Sequence, residues 1–261
     1  MASFPYNTIM SFPRFFCPEP LSAALSANLP FRLPDNAARH ASRVLRLRVG
    51  DGLVLFDGVG GEYVARIATL EKDRVAVDVL EWRDVECESP ISLTLVQALQ
   101  SGEKMDMTVQ KAVELGVSRI VPVTSRRSVV RLEGERAARR LEHWRGVALS
   151  ACEQCGRNRV PEVFALQGLE NWLGQAAGQD ILRLMLAPGA EHSLDRIVPA
   201  HNGKIELLIG AEGGLAPEEL AMAVAVGFKP LRLGPRILRT ETAGLAALAA
   251  IQCLWGDFRG R

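Results

Sequence analysis

Two segments near the C-terminal end of this 261-residue chain carry residue types that could bind a ligand and act on it. The first, Leu208–Gly214, is an apolar run followed by a turn that contains Gly210, Gly213 and Gly214. Glycines after a strand let the backbone approach a ligand closely or adopt a positive φ, and ligands bind at the carboxyl ends of parallel strands. The spacing fits neither the dinucleotide-binding nor the phosphate-binding glycine motif. The pattern alone leaves a ligand-binding loop and a tight turn as equal alternatives.

The second segment, Leu233–Ala243, joins another apolar run to an alanine-rich helix. Its simplest interpretation is a helix start, with Thr240 as the N-cap and Glu241 at the positive end of the helix dipole. Capping does not account for Arg236 and Arg239, which lie on either side of an apolar Ile-Leu pair. This loop is therefore a second candidate wall of a binding site.

Other common catalytic and metal-binding patterns do not stand out. Cys152 and Cys155 form a lone C-x-x-C without the second pair of a zinc site. The pair lies late in an amphipathic helix, whereas redox thiols are activated at a helix start. The four histidines show no ligand spacing, and no Ser-His-Asp arrangement is evident. We expect no metal site.

The composition indicates a soluble cytoplasmic protein. Hydrophobic residues make up 48% of the chain and charged residues 23%, which is ordinary for a globular protein. No apolar run reaches the roughly 20 residues of a membrane helix, and the first residues lack the regions of a secretory signal. Five cysteines, an odd number, argue against a disulfide framework and for a reducing compartment.

The net charge of +1 does not by itself indicate a nucleic-acid binder. Arginines are nevertheless clustered within residues 39–48, 126–131 and 136–145. Glu133, Glu135 and Glu142 lie close enough in sequence to neutralise part of these clusters on a solvated surface. Charge alone therefore leaves both RNA binding and an ordinary charged surface open.

The character of the chain changes near residue 85. Before it, short alternating runs at Leu53–Phe56, Tyr63–Thr69 and Val75–Leu80 are separated by Asp-Gly and Gly-Gly turns, which predicts a small β-barrel. The charged stretch Trp82–Pro90 resembles a linker, and from Ile91 strands alternate with helices, which predicts an α/β domain with a mainly parallel sheet. We divide the chain into an N-terminal extension at 1–9, a barrel domain at 10–84, a linker at 85–90 and the α/β domain at 91–261.

Apolar periodicity and capping residues predict the elements of the α/β domain. In the first of its helices, Lys104, Thr108 and Lys111 are expected on a different face from the apolar stripe. The predicted strands are Ile91–Leu99, Arg119–Val123, Leu182–Leu186, Ile205–Ile209 and Leu231–Leu233. The predicted helices are Glu103–Leu115 with Ser101 as cap, Leu141–Cys155, one between Pro217 and Gly227, and one over Thr242–Trp255.

Seven segments together resemble the RsmE family, bacterial methyltransferases that modify N3 of a uridine in 16S rRNA. The resemblance covers nearly the whole chain from Met10, and the order and separation of the segments make it specific. The chain departs from the family in two places. Ala211 stands where proline is frequent in the family. Residues 1–9 precede the family's usual start; they are an extension, a mis-assigned start or introduced residues, and we expect no catalytic role for them. The segments are Phe12–Phe16, His40–Arg46, Leu55–Gly58, Gln110–Gly116, Ala151–Arg157, Gly210–Gly214 and Ile237–Ala243.

The resemblance implies a PUA-like RNA-binding barrel followed by a SPOUT methyltransferase domain threaded into a trefoil knot, a rare exception to unknotted connections. It implies a cytoplasmic homodimer that acts on 16S rRNA within the small ribosomal subunit. It also implies that three loops of the knot hold S-adenosyl-L-methionine. The implied donor-binding residues are Leu186, Ala187, Pro188, Leu208, Ile209, Gly210, Ala211, Glu212, Gly213, Gly214, Leu233, Gly234, Arg236, Ile237, Leu238, Arg239 and Thr242.

Methylation of uracil N3 requires loss of the imide proton, because the lone pair of the neutral nitrogen is delocalised into two carbonyls. The site must therefore offer a base, or donors that stabilise the anion. We assign Arg239 to stabilise the anion and Glu241 as the base, with Glu212 as second choice; either glutamate could instead cap a helix or orient Arg239. The candidate RNA contacts are Arg14, His40, Arg43 and Arg46 in the barrel and Lys104, Lys111, Arg126, Arg157 and Arg159 in the larger domain.

Two other functions fit part of the pattern. A non-catalytic RNA-binding or ribosome-assembly protein with this fold would have no need of the Arg239–Thr242 segment. A sister enzyme of the same fold would methylate the ribose 2′-oxygen or another base. The barrel domain and the C-terminal motif favour the uridine-N3 enzyme.

Overall fold

A computed structural model describes residues 12–27, 29–72, 74–175, 180–199 and 202–259 of the chain. The extension predicted at 1–9 lies outside the described residues. The chain forms two compact units. One unit runs up to Cys87 and includes Glu153–Arg159, and the other contains Glu88–Cys152 and the chain from Val160 onward.

The first unit is built on a five-stranded sheet with the strand order β1-β3-β4-β5-β2. Strand β1 runs parallel to β3, and the other neighbours are antiparallel. Its elements are β1 (Arg14–Phe16), α1 (Leu21–Ala27), β2 (Phe31–Arg32), α2 (Asp35–Arg39), a π-helical turn (His40–Val44), β3 (Gly52–Phe56), β4 (Glu62–Glu71) and β5 (Arg74–Arg83).

The three predicted strands of this unit are present as β3, β4 and β5, and their inward residues form the core. Phe15, Leu53, Ile67 and Val77 are fully or almost fully buried there. Strand β5 continues to Arg83, which pairs with the start of β4, so the beginning of the stretch predicted as a linker belongs to the sheet.

The second unit is built on a seven-stranded sheet in which every pairing is parallel. The order is β12-β10-β11-β6-β7-β8, and β9 also pairs with β7. The elements are β6 (Ser92–Ala98), α3 (Lys104–Glu114), β7 (Arg119–Thr124), α4 (Gly134–Cys155), β8 (Glu162–Val163), β9 (Gln167–Gly168), α5 (Leu169–Gly174), β10 (Leu182–Leu186), a 3₁₀ turn (Leu194–Arg196), β11 (Lys204–Ile209), α6 (Pro217–Ala225), β12 (Lys229–Leu231) and α7 (Thr240–Trp255).

The central strands of this sheet are continuous apolar runs because helices cover them. Val96 of β6, Val121 of β7, Met185 of β10 and Leu208 of β11 are fully buried in one core cluster. The predicted mainly parallel α/β domain is thus confirmed. None of the described helices is long and apolar enough to cross a membrane.

The strand predicted at Leu231–Leu233 is displaced. The strand that pairs with β10 is Lys229–Leu231. After it, the Arg232 N–H donates to the His192 carbonyl (3.0 Å) instead of continuing the ladder. Leu233 therefore lies in the loop after the strand.

Three helix starts also differ from the prediction. Helix α4 begins at Gly134 rather than Leu141, because its first turns are mostly exposed and so carry no apolar stripe. Helix α7 begins at Thr240 rather than Thr242. The N-cap of α3 is Glu103 and not Ser101, and no side chain caps that helix.

Candidate active site

A cavity of about 440 Å³ opens at the carboxyl ends of three neighbouring strands of the second unit. Its walls are Leu186–Pro188 after β10, the Ile209–Gly214 turn after β11, and the loop that follows β12 from Leu231 to Thr240, with Ala243. Parallel strands end at the same edge of a sheet, so the order β12-β10-β11 brings these loops together. The structure therefore places the three predicted segments around one space.

Most of the predicted donor-binding residues line this cavity, but three do not. Leu208 is fully buried in the core, Gly213 faces Arg127, and Thr242 is exposed on α7. The structure adds Leu231 and Arg232, which precede the predicted loop. Pro235, Thr240 and Ala243 also line the cavity; they lie within the predicted wall but were not among the expected donor-binding residues.

The glycine turn is tightly constrained. The Gly214 N–H donates to the Ala211 carbonyl (2.8 Å), and Gly214 has φ +71°, where glycine is strongly favoured. A Cβ on Gly210 would lie 2.9 Å from the Gly214 carbonyl carbon, so no larger residue fits without a shift. The Arg127 guanidinium donates to the Gly213 carbonyl (2.8 Å). The sequence places Arg127 only within the basic cluster at residues 126–131 and does not indicate this contact.

Thr240 joins the second wall to the first. Its hydroxyl donates to the Gly210 carbonyl (2.6 Å) and accepts from the Gln97 amide (3.3 Å). The predicted N-cap role of Thr240 is wrong, because the N-cap is Arg239 and no side chain makes a capping bond there. The buried hydroxyl instead connects the start of α7 to the end of β11.

The rim of the cavity is basic and partly apolar. Arg236 and Arg239 line it and are exposed, and the Ile237 side chain between them is 84% exposed. In the described part of the chain, no carboxylate oxygen lies within 4.0 Å of the Arg239 guanidinium. Arg239 therefore offers an uncommitted positive charge at the cavity.

Beside the cavity, two carboxylates share one ammonium group. Lys104 Nζ lies 3.3 Å from Glu241 Oε1 and 4.0 Å from Glu212 Oε1. Glu212 also accepts hydrogen bonds from the Ser101 N–H and hydroxyl, at 3.2 Å each. Glu241 Oε2 is buried and has no hydrogen-bond partner among the described residues. Glu241 is therefore paired with Lys104, a predicted RNA contact, and does not orient Arg239.

The two glutamates differ as proton acceptors. Partial burial raises the pKa of Glu212, but hydrogen bonds from its own backbone N–H and from Ser101, together with the Lys104 charge, outweigh it and hold the pKa below its ordinary value. A carboxylate with a lowered pKa is a weaker base. Glu241, with one oxygen unpartnered, is the better candidate of the two.

Gln100 is a further residue that sequence analysis missed. Its buried amide nitrogen donates to Thr108 Oγ1 (2.8 Å) and to the Lys104 carbonyl (3.1 Å), and its oxygen accepts from the Glu241 N–H (3.2 Å). Thr108 is fully buried, so its predicted place on the polar face of α3 is wrong. A polar residue that directly follows an apolar strand was the available signal.

The candidate RNA contacts of the first unit divide into exposed and internal residues. His40, Arg43 and Arg46 are exposed. The Arg14 side chain is 13% exposed and donates to Glu62 (2.5 Å) and Asn158 (2.5 Å). Arg157 is 4% exposed. A buried guanidinium with internal partners does not reach a phosphate, so Arg14 and Arg157 are not surface contacts.

Of the remaining candidates, Arg126 and Arg159 are exposed and Lys111 is half-buried, and all three lie near acidic partners. Arg159 is 3.8 Å from Glu86 and belongs to the first unit, not to the larger domain as expected. Lys111 pairs with Glu114 (2.8 Å) on the same helix. Arg126 pairs with Glu170 (2.9 Å).

No metal or disulfide chemistry accompanies the described residues. Among them, no three His, Cys, Asp or Glu side chains are placed to share a metal ion. All five cysteines lie in the described ranges, and none forms a disulfide bond. Burial, followed by the nearby charges of Glu19, Glu153 and Asp57, raises the pKa of the Cys17 thiol to about 12.

Two family models match the chain in the order of its two units. The model described as an RNA methyltransferase PUA domain matches residues 33–80, and the model described as an RNA methyltransferase domain matches residues 87–252. The predicted order, a PUA-like domain followed by an α/β RNA methyltransferase domain, is confirmed by these matches.

Individual relatives match over almost their whole length. The ribosomal RNA small subunit methyltransferase E of Neisseria gonorrhoeae, solved bound to S-adenosyl methionine, is 44% identical with a TM-score of 0.88, over 95% of this chain and 99% of that one. A Legionella pneumophila protein solved with bound SAM is 35% identical with a TM-score of 0.86, over 95% and 99% of the two chains. Ribosomal RNA small subunit methyltransferase E of Bacillus subtilis is 33% identical over 85% of this chain and 89% of that protein. Similarity of this extent shows that the chain belongs to the ribosomal RNA small subunit methyltransferase E (RsmE) family of RNA methyltransferases.

Proposed function

We propose that the chain transfers a methyl group from S-adenosylmethionine to N3 of a specific uridine in the 16S rRNA of the small ribosomal subunit. The observation that carries the proposal is the cavity of about 440 Å³ in which three loops of the parallel sheet meet Arg239. The relative from Neisseria gonorrhoeae, named a ribosomal RNA small subunit methyltransferase E and bound to S-adenosyl methionine, supports the donor and the class of RNA. The choice of uridine N3 depends on the resemblance to the RsmE family.

The cavity fits a donor of this size and polarity. Its volume lies within the roughly 300–1,000 Å³ of small-molecule sites. Its walls combine apolar side chains, such as Leu186 and Leu238, with backbone groups of the glycine turn and the loop after β12. Backbone N–H and C=O groups at Gly210, Leu233 and Leu238 would hold the adenine and ribose, and the absence of a Cβ on Gly210 lets the turn close on itself as Gly214 packs against it. When bound, the donor supplies a methyl group already activated on a sulfonium.

The acceptor nitrogen needs a base and a cation, and the site provides both. We assign the N3 proton to the carboxylate of Glu241, which lies beside the cavity at the start of α7 and has one oxygen unpartnered within the described ranges. Arg239 donates hydrogen bonds to the uracil oxygen on which negative charge develops. Glu212 is the poorer acceptor because its pKa is lowered. Since N3 is paired in duplex RNA, the target nucleotide enters the site single-stranded or turned out of its stack.

Basic residues at the surface contact the RNA in this proposal. They are His40, Arg43, Arg46 and Arg159 on the first unit and Lys111 and Arg126 on the second.

Residues 10–84 form the RNA-binding domain and 91–261 the methyltransferase domain, joined by the linker at 85–90. Residues 153–159 group with the first unit although they lie within the second range.

Three parts of the proposal extend the family resemblance: a trefoil knot in the methyltransferase domain, a homodimer, and a cytoplasmic site of action. The homodimer depends on the family resemblance alone, because a single exposed apolar side chain such as Ile237 (84%) does not indicate an interface. Light scattering of the purified chain tests this part, and a monomer at micromolar concentration would contradict it.

The test of the proposed function is transfer of a tritiated methyl group from S-adenosylmethionine to RNA. Small subunits and protein-free 16S rRNA, both from a strain that lacks the modification, serve as acceptors. We expect label in the rRNA of the small subunit. Tight rRNA binding without transfer would favour the non-catalytic assembly protein. Label on the ribose 2′-oxygen would favour the 2′-O enzyme; it is detected because the neighbouring phosphodiester bond then resists alkaline hydrolysis.

A further inference from the structure

Lys104 lies at the start of α3, where its ammonium pairs with two carboxylates beside the cavity. We infer that Lys104 is a positioning residue of the methyl-transfer site, whose ammonium holds the Glu241 carboxylate in place beside the cavity rather than binding an RNA phosphate. This inference depends on the proposed function, because Glu241 is the base of that reaction.

The contacts of Lys104 all lead to the walls of the cavity. Its ammonium lies 3.3 Å from Glu241 and 4.0 Å from Glu212, and the lysine side chain is 38% exposed against 15% and 23% for the two carboxylates. Its backbone carbonyl accepts from the Gln100 amide, whose oxygen accepts from the Glu241 N–H. Lys104 is thus joined to the first turn of α7 through both its side chain and its backbone.

Lys111 shows what a lysine without this role looks like on the same helix. Its ammonium pairs with Glu114 (2.8 Å), three residues further along α3, and not with a residue of the cavity walls. Only the lysine at the start of α3 is within ion-pair distance of carboxylates from two other segments. The difference in partners is therefore specific to Lys104.

Charge explains why the ammonium is needed. Without it, neither the Glu241 nor the Glu212 carboxylate would have a cation within 4.0 Å among the described residues, and a nearby cation favours the charged form of a carboxylate. A protonated Glu241 cannot take the N3 proton. The other charged groups of α3 are Glu103 at its N-cap, Asp106, which pairs with His143 (2.7 Å) and Arg140 (4.0 Å), and Lys111, which pairs with Glu114. Before α7 lies Arg239, which has no carboxylate within 4.0 Å in the described ranges.

The test compares Lys104→Met with Lys104→Arg, and uses Lys204→Met as the control. Lys204 is an exposed lysine at the opposite end of β11 from the glycine turn. For Lys104→Met, we expect the acid limb of the single-turnover rate on small subunits to move up by about one pH unit. Lys104→Arg should restore the wild-type profile, and Lys204→Met should keep it. The affinity for S-adenosylmethionine, measured by calorimetry, should stay unchanged in all three variants.

RNA binding separates this role from a phosphate contact. If Lys104 bound a phosphate, Lys104→Met would weaken RNA binding and lower the slope of log K against log salt by about one. We expect neither effect. Their appearance together with an unchanged pH profile would overturn the inference.

A double variant shows whether Lys104 acts through Glu241. The rate of Lys104→Met/Glu241→Gln should equal that of Glu241→Gln alone, because the lysine has nothing left to position. Losses that multiply would contradict the inference. Circular dichroism shows whether each variant is folded. If Lys104→Met does not fold, Lys104→Arg still tests the inference. A wild-type chain that transfers no methyl group would overturn the proposed function and this inference with it, whereas an active wild type with an unaltered Lys104→Met would overturn the inference alone.

Discussion

The Thr240 hydroxyl donates a hydrogen bond of 2.6 Å to the backbone carbonyl of Gly210. The bond joins the first residue of α7 to the glycine turn after β11, and these segments are two walls of the same cavity. Thr240 is buried, so water does not readily replace it as a donor. The geometry of the candidate donor site therefore depends on this one hydroxyl.

Replacement of Thr240 by valine keeps the shape of the side chain and removes the donor. We expect Thr240→Val to lower the free energy of unfolding by about 1–3 kcal/mol, because the Gly210 carbonyl is left without its partner. The affinity for S-adenosylmethionine should fall as well. Urea denaturation and calorimetry measure the two effects. Thr240→Ser, which retains the hydroxyl, should preserve most of both, and a Thr240→Val variant with unchanged values would contradict the role given to this bond.

A methyl group at Gly210 should distort the turn that forms one wall of the cavity. In Gly210→Ala the new Cβ would lie 2.9 Å from Gly214, so the turn must shift. We expect calorimetry to show at least a tenfold loss of S-adenosylmethionine affinity, about 1.4 kcal/mol. Gly146→Ala is the matched control, since a Cβ on this glycine of α4 meets nothing within 4 Å. It should keep the affinity and raise helix stability by about 0.8–1.0 kcal/mol. Equal affinities for the two variants would contradict the assignment of the turn.

The cavity walls could be predicted from sequence, whereas the contacts between side chains could not. Buried parallel strands are continuous apolar runs, so β10 and β11 stand out, and the glycines after Ile209 mark the turn. The Lys104–Glu241 pair joins residues far apart in sequence, and predicting it requires the knowledge that α3 packs against α7.

The burial of charged side chains is a second feature that could not be predicted from the sequence. Arg14 and Arg157 resemble surface residues by type, since charged side chains are rarely buried unless paired. Their partners, such as Glu62 and Asn158 for Arg14, come together only in the folded unit. The two-residue strands β8 and β9 are also too short to show a periodic pattern.

Removal of the Arg239 guanidinium should affect catalysis more than donor binding. For Arg239→Ala we expect a loss of about 10²–10³ in the single-turnover rate, the usual effect of deleting a donor to a developing oxyanion. The affinity for S-adenosylmethionine should change little. Arg239→Lys should recover part of the rate because it keeps the positive charge. Near-normal turnover by Arg239→Ala would exclude this role.

The carboxylate of Glu212 should make stability depend on pH. Its pKa in the folded state lies below the unfolded value, so its ionised form stabilises the fold above the unfolded pKa, and that stabilisation is lost as the pH falls through the folded pKa. We expect wild type to be more stable than Glu212→Gln at pH 7, and the difference to shrink as the pH falls below the unfolded value of about 4.3 and to vanish below the lowered folded pKa. Urea denaturation at several pH values measures it. A constant difference would show that the ionised carboxylate is not the stabilising form.

The thiols should react according to burial and pKa. Cys87 and Cys253 are exposed, whereas Cys17 and Cys152 are buried, and the raised pKa of Cys17, about 12, keeps its thiol protonated. We expect Ellman's reagent to modify Cys87 and Cys253 quickly in the native chain, and Cys17 only after unfolding. The fast phase should disappear in Cys87→Ser/Cys253→Ser. Rapid native labelling of Cys17 would contradict its place in the core.

The central claim is that this chain methylates N3 of a uridine in 16S rRNA. Its most direct test is mass spectrometry of nucleosides from unmodified small subunits that have been incubated with the chain and S-adenosylmethionine. We expect 3-methyluridine with the wild-type chain and its loss with Arg239→Ala. A methylated nucleoside other than 3-methyluridine, or no methylated nucleoside above the level without protein, would contradict it.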